Sequence, residues 1–109
     1  QKSLEMAQRL NNESEIAISL GNLGNVALEE KDYEAARGYC QESLRMAQKM
    51  DRVDLIADVK YNLGEVEEGL GNYPEARRLF EETLEIYQRL GARKRVEEVQ
   101  EAIKRIEKR

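Results

Sequence analysis

At 109 residues the chain holds one domain's worth of sequence. Its mixture, 40% hydrophobic and 37% charged with a formal net charge of −4, suits a helix-rich chain with one modest core and argues against the broad basic surface of a nucleic-acid binder. One cysteine and no histidine exclude an intramolecular disulfide and a structural zinc site, and no apolar run is long enough to cross a bilayer.

The pattern opens inside a helix. Residues 1–12 read as the second helix of a truncated repeat, and the start at Gln1 without Met suggests a piece of a longer protein. Leu4, Met6 and Leu10 are then expected to be partly uncovered and to favour self-association. A second helix is predicted over Glu15–Glu30, because Ile16, Leu20, Leu23 and Ala27 fall on one helical face. A turn follows at Lys31-Asp32. The next helix runs over Tyr33–Met50, with Ala36, Tyr39, Cys40, Leu44 and Met46 inward. The following one ends at Gly71-Asn72, where glycine accepts the left-handed conformation that closes a helix. Asn72 is placed to cap the helix after it, and Pro74 sits in that helix's first turn, where its missing N–H costs nothing. The last stretch, Ala92–Lys108, has one apolar stripe and charge elsewhere, as a terminal cap requires. It is the basic end of the chain, with about seven basic residues against about four acidic ones from Ala92 onward.

These helices repeat. At an offset of about 40 residues Ile16-Ala17 falls on Ile56-Ala57, Asn22-Leu23-Gly24 on Asn62-Leu63-Gly64, and Tyr33 on Tyr73. Ala36-Arg37 falls on Ala76-Arg77, and Glu42, Leu44 and Gln48 on Glu82, Leu84 and Gln88. The offset extends outward, with Ser3-Leu4 and Met6-Ala7-Gln8 matching Ser43-Leu44 and Met46-Ala47-Gln48. Residues 1–109 therefore read as one repeat domain: 1–12 the truncated repeat, 13–52 and 53–92 two whole repeats, 93–109 the cap. Gly24 and Gly64 lie inside helices, where glycine costs about 1 kcal/mol relative to alanine. Their recurrence predicts a close helix approach, with Ala36 and Ala76 as the small surface opposite.

Asn22-Leu23-Gly24, Asp32-Tyr33-Glu34-Ala35-Ala36 and Leu44, with their partners Asn62-Leu63-Gly64, Asn72-Tyr73-Pro74-Glu75-Ala76 and Leu84, resemble the tetratricopeptide repeat family. The unit is about six residues longer than the family's usual repeat of about 34. In that it looks like the repeats of kinesin light chains, G-protein-signalling modulators and bacterial peptide-sensing regulators. The resemblance covers nearly the whole chain. Two departures stand out: Leu20 and Lys60 replace an aromatic often found near the start of the first helix, and Ile103-Lys104 replaces the Leu-Gly pair in the last unit. The resemblance implies an all-α fold, a right-handed superhelical solenoid of antiparallel helix pairs with about six helices. It also implies protein or peptide binding on the concave face formed by the first helix of each repeat.

On a helical wheel that face carries Asn22, Asn25 and Glu29, then Asp58, Tyr61, Asn62 and Glu65, then Glu98, Glu101 and Arg105. Asparagine amides both donate and accept, so they can pair with a ligand's backbone whatever its side chains. Tyr61 offers apolar area with a polar tip. The excess of carboxylates favours a partner with Lys or Arg. The alternative is a structural spacer or self-association element of a larger regulator, acting through exposed terminal helices.

Other signals are bland. Gly21-Asn22-Leu23-Gly24 lacks the Lys-Ser/Thr ending and the preceding strand of a phosphate loop. Glu29-Glu30, Glu67-Glu68 and Glu81-Glu82 diverge by about 100° on a helix, which suits solvated faces rather than acid–base catalysis. Cys40 aligns with Phe80 and reads as core, and Tyr33 and Tyr73 as packing residues. We expect no enzyme activity, cofactor, metal, nucleic-acid or membrane partner. The lone cysteine fits a cytoplasmic setting.

Overall fold

A computed structural model describes residues 2–109, with backbone alone for Lys2, Ser3, Leu4, Ala7 and Leu10. Among the described residues there are five helices: α1 (Lys2–Glu29), α2 (Tyr33–Lys49), α3 (Val53–Gly69), α4 (Tyr73–Leu90) and α5 (Arg93–Glu107). Each packs on the next, and α1 also touches α3, so the helices form a solenoid of stacked hairpins. The shape is elongated, 56 × 31 × 18 Å.

One turn geometry recurs at each junction. Lys31, Asp51, Gly71 and Gly91 take φ of 61°, 56°, 83° and 69°. The next residue's N–H then reaches back to a carbonyl in the helix's last turn: Asp32 to Ala27 (2.9 Å), Arg52 to Ala47 (2.9 Å), Asn72 to Glu67 (2.8 Å) and Ala92 to Tyr87 (3.0 Å). This is a Schellman closure, which satisfies carbonyls that the ending helix would leave bare. Two of the four left-handed residues are not glycine, so the hydrogen bonds and the packing beyond the turn offset their backbone cost.

The same spacing points to Asn11 as one more turn, yet α1 runs unbroken through Asn11–Ser14. Five helices therefore stand where about six were expected. The physical reason is the balance at a turn. Breaking the helix gives up hydrogen bonds and is favourable only when the freed arm buries enough apolar surface. Met6 is largely exposed on α1, whereas the side chains of Leu4 and Leu10 lie outside the described residues.

Small residues set the helix spacing. Ala17, Ala36, Ala57 and Ala76 are fully buried. A Cβ built on Gly24 would meet Cys40 Sγ at 2.6 Å, and one on Gly64 would meet the Phe80 ring at 2.5 Å. The interior glycines thus admit the large residue at the aligned position of the second helix. The backbone of Ala36 is nearby at 3.6 Å, but Cys40 is the closer neighbour. Cys40 is buried, and burial pushes its thiol up to about 11, which leaves it an unreactive core residue. Asn72 does not cap α4 with its side chain. Its amide instead donates to Glu67 at 2.7 Å, where Arg37 also binds in a fork at 3.0–3.1 Å. Asp32 does cap α2, accepting from the Ala35 N–H.

Candidate functional site

The repeat offset places equivalent faces of α1 and α3 side by side, and an open groove of about 480 Å³ runs between them. From α1 it is lined by Ile18, Gly21, Asn22 and Asn25, and from α3 by Asp54, Leu55, Asp58, Val59, Tyr61, Asn62 and Glu65. Arg52, Tyr87 and Arg95 close its edges. Asn22, Asn25, Asp58, Tyr61, Asn62 and Glu65 therefore share one surface. Asn22 and Asn25 are exposed, Asn62 half-buried.

The remaining expected residues fall elsewhere. Glu29 lines an adjoining cleft with Asn25, Glu65, Tyr33 and Tyr73. Glu101 and Arg105 border a separate basic depression on α5 with Lys104, Lys108 and Arg109. Glu98 is exposed, 3.8 Å from Arg95. Arg105 is held by Glu68 through two hydrogen bonds of 2.6 and 2.7 Å, and the pair ties α5 to α3.

The groove's charges are unequal in availability. Asp54 is gripped by Arg52 at 3.0–3.1 Å, and that bond holds its carboxyl below the usual range. Asp58 accepts a short hydrogen bond from the Tyr87 hydroxyl. Burial, then that bond, keeps the Tyr87 phenol well above its ordinary value, so it stays a donor. Glu65 is half-buried, and desolvation raises its carboxyl against the opposing pull of Arg105. Tyr61 leans on Phe80 with ring centroids 5.5 Å apart, and burial raises its phenol too. A cationic side chain entering here would meet Asp58 and Glu65 as the carboxylates not already forked by arginine.

Asp54, Arg52, Tyr87 and Arg95 belong to the groove but were not among the expected site residues. Asp54 lies one helical turn before Asp58, so the wheel could have included it. Tyr87 could not be found that way, because it reaches the groove from a second helix. No group of His, Cys, Asp or Glu among the described residues is arranged to hold a metal ion.

Two sequence profiles of the tetratricopeptide repeat match the chain, one over residues 16–50 and one over 55–100. Both start within a first helix, α1 or α3, and the second runs on into α5. The chain belongs to the tetratricopeptide repeat family. No curated protein matches it. Repeats of this family generally mediate protein–protein interactions. No helix among the described residues is long and apolar enough to cross a membrane.

Proposed function

We propose that this tetratricopeptide repeat domain is a binding module that holds an extended peptide or partner segment bearing Lys or Arg. The observation that carries the reading is the groove between α1 and α3, which Asn22, Asn25 and Asn62 line together with Tyr61, Asp58 and Glu65. The amides can pair with ligand backbone, the tyrosine supplies apolar area, and the carboxylates select a cation. The charge preference is narrower than the acidic residue count implies, because Arg52 neutralises Asp54. The module acts without catalysis or a cofactor, and the buried, unpaired Cys40 is compatible with a reducing cytoplasm.

The test is fluorescence anisotropy against labelled peptides of graded Lys/Arg content, using the wild type and Asn22→Ala/Asn62→Ala. Losing two backbone-pairing amides should weaken binding by about tenfold or more while circular dichroism is unchanged. Added salt should weaken the wild type as well. Equal binding by both proteins, or none by either, would remove the groove from the account. The second reading, self-association, is favoured by the exposure of Ile16, Leu23 and Val26 on α1.

A further inference from the structure

Beyond the groove, a second cleft of about 520 Å³ opens at the carboxyl ends of α1 and α3. Two aromatic rings form part of its walls. Tyr33 opens α2 and Tyr73 opens α4, and each is half-buried. Tyr33 packs on the cluster of Ala27, Ala36 and Val66, and Tyr73 on that of Ala57, Ala76 and Phe80. Both rings are thus anchored before anything binds. Gly69 lets Tyr33 lie there, because a Cβ at that position would overlap the ring. The aligned residues of the other repeats, Glu29 and Arg109, both carry long side chains.

Carboxylates line the same cleft. They are Glu29, Glu65 and Glu68, with Arg109 as the cation among the lining residues. Arg105 forks onto Glu68, so Glu29 and Glu65 face one positive charge on Arg109. A cation set between aromatic rings and carboxylates gains from the ring quadrupoles and from Coulomb attraction. An anion would meet two carboxylates with a single arginine to offset them.

The cleft is continuous with the groove, since Asn25 and Glu65 line both. Along α3, the groove's Asp58 and the middle of the cleft, between Glu65 and Gly69, are separated by about 13.5 Å of helical rise. In an extended chain, side chains on one face recur every second residue, so four residues span about the same distance.

We infer that the cleft of Tyr33 and Tyr73 is a second cation subsite of the same peptide site. Its ligand is an extended segment with two Lys or Arg four positions apart, one on Asp58 and the other beside Tyr33 and Tyr73, facing Glu29 and Glu65. The inference rests on the peptide-binding reading of the groove and adds to it the length and spacing of the ligand. A strand laid in the valley between α1 and α3 reaches both subsites, with the Asn25 and Asn62 amides beside its backbone on the way. Two adjacent cations point to opposite faces of such a strand, so only one of them can engage.

Calorimetric titration with two peptides of identical composition tests this, one with its two lysines adjacent and one with them four positions apart in an otherwise neutral sequence. The spaced peptide should bind the wild type at least about fivefold more tightly. Glu29→Gln should erase most of that preference, and Arg109→Gln should enlarge it about two- to threefold, because each changes the charge at the cleft. Both residues are exposed, so circular dichroism should not change. Tyrosines that serve packing alone would produce none of these effects. Equal affinity for the two peptides, a preference that survives Glu29→Gln, or an Arg109→Gln variant that gains nothing would each overturn the inference and leave the groove reading standing. No binding of either peptide would overturn both.

Discussion

Glycine at position 64 shows how one residue's context reverses its intrinsic preference. Alanine is the better helix former by about 1 kcal/mol. Yet a Cβ at Gly64 would sit 2.5 Å from the Phe80 ring, whose side chain is fully buried and has nowhere to retreat. Gly64→Ala is therefore expected to destabilise the fold by about 1–3 kcal/mol in urea unfolding, as overpacking does. Gly38 is the control. It lies inside α2 with nothing within 4 Å of a Cβ, so Gly38→Ala should stabilise by about 0.5–1 kcal/mol. Equal effects of the two substitutions would refute the packing account. The sequence showed that Gly24 and Gly64 recur inside helices. It did not show that Cys40 and Phe80 are the neighbours they admit, because that contact joins two helices.

At the scale of elements, successive repeats are joined by more than apolar contact. Arg37 on α2 forks onto Glu67 of α3, whose side chain is only 11% exposed, and Asn72 donates to the same carboxylate. Arg37→Met would keep the stem packing while stranding a buried charge, with one amide left to solvate it. The expected cost is about 2–3 kcal/mol by chemical denaturation. The double variant Arg37→Met/Glu67→Met should recover most of that loss, and no recovery would mean that the cost lies in packing instead. Neither partner was legible as such. Arg37 and Glu67 are 30 residues apart and look like solvated charges on their own helices.

For the whole molecule, the solenoid's two ends differ, and so should the effects of cutting them. Val99, Ala102 and Ile106 of α5 close a cluster with Ala57, Ala76, Phe80 and Tyr87. A chain ending at Ala92 should unfold at a lower urea midpoint and with a smaller slope, since less surface is exposed on unfolding. An unchanged midpoint would show that α5 is not a cap. By itself the sequence determined the helical class, the period, the turns at Lys31-Asp32 and Gly71-Asn72 and the apolar stripes, because each follows from spacing along the chain. It also identified the face on which Asn22, Asn25, Asp58, Tyr61, Asn62 and Glu65 gather. Only the tertiary structure decided that the helix continues past Asn11, that Tyr87 holds Asp58, and that Arg52 and Glu68 occupy charges the sequence left free. Those outcomes depend on what lies opposite each residue across a helix interface, and a single helical period carries no information about its neighbour.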